Sequence, residues 1–159
     1  MFEKAWKLLL EYYDEKLGIQ WKWQSLDAAM MKAPLGGDET GPSPVDRSKS
    51  GTKRSLLCDR RGSPLSIVVT AANTHDKVVA LETLDKITVE RPEKLIYRID
   101  HLCLHKGYDY EDVIAGVLAR DYILQLKRRG QADEPIEGEK KCPARRWVVE
   151  RTHYWFNLW

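Results

Sequence analysis

The chain predicts an α/β fold built on a mixed sheet with helices on both faces. Three observations carry that reading: a β-hairpin pattern between residues 53 and 70, alternating helix and strand patterns after it, and an amphipathic helical stripe at each end. The expected element order is α, β, β, β, α, β, α, β, α. With 159 residues, 43% of them apolar, the chain suits a single domain over 1–159.

Phe2, Ala5, Trp6, Leu9, Leu10, Tyr13 and Leu17 recur at helical spacing with charged residues between them, and Gly18 closes that helix. Ile19, Trp21, Trp23 and Leu26 then alternate with polar residues, which predicts a strand within 19–30 that ends near Asp27. On such a strand Trp21 and Trp23 fall on one side and share one environment, the core. Residues 33–51 hold three Pro, four Gly and four Ser or Thr and read as a loop whose length invites a function.

The hairpin comprises Lys53 to Asp59, a turn at Arg60-Arg61-Gly62-Ser63, and Pro64 to Thr70. Asn73-Thr74-His75-Asp76 offers capping residues, Asp76 first among them, for a helix over Val78 to Ile87. A proline-containing connection, 88–93, leads to a strand over Leu95 to Leu104, a turn at Gly107 and a helix from Glu111 to Ala119. A strand over Tyr122 to Leu126, a polar loop over 128–143 and a last helix from Ala144, with an aromatic stripe, complete the order.

The formal net charge is only +2, but basic residues cluster at 47–54, 60–61, 127–129 and 140–151, a distribution that points to a polyanionic partner. Cys58, Cys103 and Cys142 are odd in number and lack C-x-x-C spacing, which argues against a disulfide framework or a structural zinc site. No apolar run reaches the length of a membrane span and the N-terminus lacks the pattern of a signal peptide, so no membrane partner and a cytoplasmic location are expected.

In the last helix, Glu150 stands among Arg145, Arg146 and Arg151 and near Trp147 and Trp155. An acid in such company is either a metal ligand in a nucleic-acid enzyme or a salt-bridged glutamate on a solvated helix. Hard divalent cations take carboxylates from the ends of several elements. The candidates at such ends are Asp27, Asp59, Asp76, Asp100, Asp109 and Glu150, and spacing does not choose among them. Trp147 and Trp155 read as core packing rather than as base-stacking platforms.

Six blocks taken together go further. They are Lys32 to Gly37, Thr40 to Arg47, Gly51 to Leu57, Ala72-Asn73-Thr74-His75-Asp76, His101 to Tyr110, and Arg145 to His153. In this order they resemble the catalytic core of bacterial insertion-sequence transposases of the DDE type. The resemblance implies a ribonuclease-H-like fold in which two aspartates and a glutamate hold two Mg²⁺ or Mn²⁺ ions. Its first aspartate falls on Asp27 and its glutamate on Glu150, and these two are the expected metal ligands. The position of the second aspartate holds His105. The resemblance further implies DNA as partner, at element ends and target, with Arg47, Lys49, Lys53, Arg54, Lys106, Arg146 and Arg151 meeting phosphate charge. It also makes a homodimer or an intact transposase a partner.

Two departures shape the expected function. A neutral imidazole at position 105 brings one nitrogen and no charge to a site that needs anionic oxygens, so the metal-dependent chemistry should be severely impaired. The family's N-terminal DNA-recognition segment and the basic residues beyond its aromatic helix are not visible, so the catalytic domain is expected to be incomplete at both ends. The leading expectation is a degenerate DNA cleavage and strand-transfer domain. Its rivals are a non-catalytic DNA-binding remnant that competes with intact transposase, and a fragment with no function.

Overall fold

The computed structural model describes residues 2–93, 98–126 and 146–157. Its elements are α1 (Phe2–Leu17), β1 (Trp23–Lys32), β2 (Gly41–Pro42), β3 (Ser50–Asp59), β4 (Pro64–Ala71), α2 (Asp76–Asp85), β5 (Asp100–Leu104), a 3-10 turn (Lys106–Tyr108), α3 (Glu111–Ala119), β6 (Tyr122–Leu126) and α4 (Arg146–Phe156).

The hairpin forms where the alternating pattern placed it. β3 and β4 pair antiparallel from Thr52–Ala71 inward, with a register shift between Leu57 and Cys58. Asp59 builds the turn. It is fully buried, and its carboxylate accepts from the backbone N–H of Arg61 and Ser63, both at 2.9 Å, and of Gln20 at 3.1 Å.

β1 lies on the other side of β3, antiparallel to it from Gln24–Asp59 to Lys32–Gly51. Beyond β1, β5 and then β6 continue the sheet in parallel. The sheet therefore runs β4, β3, β1, β5, β6, with the short β2 against the start of β3. Parallel pairing of β1 with β5 and of β5 with β6 needs crossovers, and α2 and α3 lie within them.

Period-two alternation divides β3 between two layers. Leu57 joins the larger core with Leu26, Leu65 and Leu102 of the sheet, Leu10 of α1, Ala80 and Leu84 of α2, and Val113 and Val117 of α3. Its neighbours Leu56 and Cys58 pack with Val149 of α4 instead. Helices thus cover both faces of the sheet, as the element order predicts.

Several expectations change. β1 begins at Trp23 and continues five residues beyond Asp27, because β3 extends far enough to pair with it out to Lys32. Trp21 precedes the strand and enters the larger core, whereas Trp23 stacks on His101 with ring centroids 4.1 Å apart, so the two indoles do not share one environment. The cap of α2 is His75, whose ring accepts from the Lys77 N–H; Asp76 is the first residue of the helix.

α1 buries only Leu10, with Trp6 and Tyr13 packed beside it, and leaves Phe2, Leu9 and Leu17 exposed, since only one edge of the helix meets the core. β5 begins at Asp100; residues 94–97 of its expected run, the 128–143 loop, Ala144 and Arg145 lie outside the described residues. Cys58 and Cys103 are buried cysteines, and burial pushes the Cys58 thiol up to about 12. No helix among the described residues is long and apolar enough to cross a membrane.

Candidate active site

Two parallel strands set the site. Trp23–His101, Gln24–Leu102 and Ser25–Cys103 are the paired positions of β1 and β5. Carrying that register two residues onward brings Asp27 level with His105, just past the C-terminal end of β5. Alternation sets both on the face shared by Trp23 and His101. C-terminal ends of parallel strands are where open α/β sheets bind ligands.

The third expected residue comes from the other end of the chain. α4 lies on this face through Val148, Val149, Thr152 and His153, all buried. Thr152 Oγ1 donates to the carbonyl of Gly62 at 3.0 Å, and Arg151 donates to the carbonyl of Arg61 at 2.6 Å. Gly62 takes φ +97°, and a Cβ there would stand 2.9 Å from Thr152 Oγ1, so only glycine admits the helix this close to the turn.

His153 completes the docking. Arg54 Nε donates to its Nδ1 at 3.3 Å, and that makes Nε2 the protonated nitrogen, 3.3 Å from the carbonyl of Asp27. Burial, then the Arg54 cation, holds this imidazole down at about 4. With the buried residues facing the sheet, Glu150 and Arg146 fall on one flank of α4. Both act electrostatically on Asp27 and on His105.

Burial first, and neighbouring charges second, shift the titrating groups here. Burial raises the Asp27 carboxyl to about 6, helped by Asp76 and Glu150 and opposed by a backbone N–H and Arg146. His105 is lowered by burial and then by Arg146 and Lys106, while Glu150 and Asp76 oppose. It caps the 3-10 turn, its Nδ1 accepting from the Gly107 N–H at 3.2 Å. Tyr108 is driven well above its ordinary value by burial, then by Asp27 and Asp76. Among the described residues no three of His, Cys, Asp and Glu come close enough to share one ion. The acids gather within reach of one another's charge and short of common contact.

Asp76 is the member that spacing did not single out, although its block carried part of the family resemblance. It pairs with Lys53 at 2.7 Å. The remaining acid candidates are structural or lie apart from this group. Asp59 organises the hairpin turn, Asp109 ends the 3-10 turn, and Asp100 is fully buried against Arg91 and Arg98.

The basic residues separate into surface and interior. Arg47, Lys49 and Lys106 are exposed. Lys53 and Arg54, expected against DNA, are buried: Lys53 donates to the Thr74 carbonyl beside Asp76, and Arg54 holds His153 and lies over the Phe156 ring. Arg151 lies between the indoles of Trp147 and Trp155, 4.9 and 4.7 Å from their centroids. Those two rings, expected in the core, are 55% and 48% exposed and clamp the arginine at the surface.

Comparison with known proteins decides the family. The family described as "Transposase DDE domain" matches residues 24–158, which include Asp27, His105 and Glu150. The chain belongs to the DDE transposases. It is 30% identical over 137 residues to the transposase assigned to insertion sequence element IS402 of Burkholderia cepacia, covering 77% of this chain and 56% of that one. This DDE domain thus spans about half the length of its curated relative.

Among solved structures, the catalytic domain of Mos1 mariner transposase is similar with a TM-score of 0.49 and 10% identity, over 95% of this chain and 84% of that one. The Mos1 paired-end complex with Mn gives a TM-score of 0.43 and 10% identity, over 77% and 40%. The β4-β3-β1-β5-β6 order, antiparallel and then parallel, makes the architecture of this DDE domain ribonuclease-H-like.

Proposed function

We propose that this domain serves DNA transposition, as the metal-dependent DNA cleavage and strand-transfer unit of an insertion-sequence transposase, weakened in this copy by His105. The observation that carries the reading is the convergence of Asp27 on β1, the position of His105 after β5, and Glu150 on α4. Its support is the level placement of Asp27 and His105 in the β1–β5 register and the electrostatic action of Glu150 on both.

The donor types suit a hard cation, although among the described residues no three of them close on a common ion. The anionic donors carry oxygen only, and the Asp27 carboxyl, raised to about 6 chiefly by burial and further by Asp76 and Glu150, stands within reach of two other acids. Asp27 and Glu150 would hold Mg²⁺ or Mn²⁺, which when bound supplies Lewis-acid polarisation of the phosphate and activation of the attacking oxygen. Arg146 would neutralise phosphate charge at the rim, and Arg47, Lys49 and Lys106 would meet the backbone of DNA bound across this face. His105 occupies the second carboxylate position without charge, which lowers affinity for a pair of dications.

Thermal unfolding with and without Mn²⁺ tests the site, because an ion that binds the native state stabilises it by mass action. The expected result is a larger Mn²⁺-induced rise in midpoint for His105→Asp than for the natural chain, and none for Asp27→Asn. An equal rise in all three would remove the assignment. His105 itself favours a second reading, a DNA-binding remnant that competes with intact transposase. Salt-sensitive DNA binding, with no cleavage in either metal even after His105→Asp, would select it.

A further inference from the structure

We infer that the outer face of α1 is a self-association surface, on which a second copy of this chain docks its own α1 antiparallel, about a two-fold axis near Leu8 and Leu9. The inference stands apart from the metal assignment, and its failure would leave that assignment untouched.

α1 carries more apolar surface than one contact uses. Trp6, Leu10 and Tyr13 lie on the face that meets the larger core. Phe2, Ala5, Leu9 and Tyr12 recur three or four residues apart on the adjoining face, with Leu8 at its edge. All five are exposed, and the four large side chains keep 61 to 76% of their surface. The helix is nonetheless fixed in place. Arg61 donates to the carbonyls of Leu17 and Gly18 at 2.9 and 3.3 Å, and Asp14 accepts from the Ile19 N–H at 2.6 Å.

Two observations choose the occupant, and the first is area. Four side chains at these exposures present on the order of 600 Å². That is at the upper end of the roughly 300 to 600 Å² a monomer leaves in one patch, and near the roughly 800 Å² each partner gives to a standard interface. The stripe is also complementary to itself. In an antiparallel pair Ala5 of one copy meets Tyr12 of the other, small against large, and Leu8 meets Leu9 across the axis.

The second observation is charge. The first half of α1 holds Lys4 and Lys7 against Glu3, and the second half holds Glu11, Asp14 and Glu15 against Lys16. Lys7 is met within the helix by Glu11 at 3.8 Å. Lys4 and Glu15 are separated by close to three helical turns and so share the flank beside Leu8. Lys16 takes Glu15 Oε1 at 2.8 Å, and a carboxylate accepts at both oxygens. Antiparallel docking sets Lys4 of each copy beside Glu15 of the other, whereas parallel docking would set like charge against like. Because α1 runs directly into β1, the contact would hold two DDE domains in a fixed relation.

Sedimentation equilibrium of the full chain tests the surface. The expected result is a monomer–dimer equilibrium that Leu9→Glu weakens by roughly a hundredfold or more, since each copy loses a leucine from the contact. Lys4→Glu and Glu15→Lys should each weaken it severalfold, and the two together should restore it. A natural chain that stays monomeric at about 100 µM overturns the proposal and leaves the stripe to another segment of a longer transposase. A dimer that Leu9→Glu leaves intact overturns it too, as does a double charge reversal that binds no tighter than either single one. Should Leu9→Glu fail to fold, the charge reversals decide by themselves.

Discussion

The Nε2 of His153 lies 3.3 Å from the carbonyl oxygen of Asp27, joining two positions 126 residues apart. The contact ties the strand that carries the first acid to the helix that carries Glu150. Arg54 sets its direction by donating to Nδ1, so the proton resides on Nε2 only while the ring is neutral. A second proton would place an imidazolium against a guanidinium in a buried position.

That arrangement predicts two opposed pH dependences. Folded His153 protonates at about 4 against 6.5 for the free group, so its contribution is present above 6.5 and lost as pH falls to 4. Asp27 runs the other way: folded at about 6 and unfolded at 3.8, it contributes below 3.8 and loses that contribution as pH rises through 6. Each slope is at most about 1.4 kcal/mol per pH unit, and in the natural chain they largely cancel. Thermal midpoints of His153→Gln should therefore fall with rising pH across this window and those of Asp27→Asn should rise. Parallel profiles for the two variants would contradict the linkage.

Gly62 offers a test of the α4 docking. Its positive φ and the nearness of Thr152 Oγ1 act together, so Gly62→Val should cost about 2 to 3 kcal/mol, of which left-handed strain alone supplies about 1 to 2. Gly36 also has a positive φ but open space around it, so Gly36→Ala should lose only the strain. Denaturant midpoints measure the difference. Equal losses would mean that the turn and α4 do not press on each other.

Asp100 opens β5, the strand that leads to His105. Its carboxylate accepts from Arg91 at 2.6 Å and from Arg98 at 3.0 Å with none of its own surface exposed. Asp100→Asn strands two partly buried cations and should cost about 3 kcal/mol. Chemical denaturation reads the loss, and a change below about 1 kcal/mol would mark the pair as energetically neutral.

DNA binding should separate surface from interior arginines. Arg47→Ala should lower the slope of log affinity against log salt by about one, as expected for one lost phosphate contact. Arg54→Ala should leave the slope unchanged and reduce stability instead, because Arg54 serves His153, Asn157 and Phe156. Fluorescence titrations on a short duplex at several salt concentrations decide this. A reduced slope for Arg54→Ala would place its guanidinium on the phosphates.

Local periodicity made much of the fold legible. The hairpin, α3 and β6 stand where alternation and helical spacing put them, since those patterns depend only on neighbouring residues. Asp27 and Glu150 were singled out by the family resemblance and not by periodicity. The inward turn of Lys53 and Arg54 was not, because a basic run reads as one patch until the pleat sends successive side chains to opposite layers, here toward Asp76 and toward His153. Nor was the exposure of Trp147 and Trp155, since apolar character does not say which edge of a helix its sheet will cover.

The chain by itself determined the order of the helices and main strands, though not the short β2 inside the expected 33–51 loop, together with the two-layered apolar pattern and the identity of the residue at position 105. Only the tertiary structure decided that Asp76 stands with the acids and that Asp59 and Asp100 do not. The physical reason is that a carboxylate's role depends on which charges and donors surround it. Those arrive through strand pairing and helix docking across many tens of residues, a separation that no local pattern encodes.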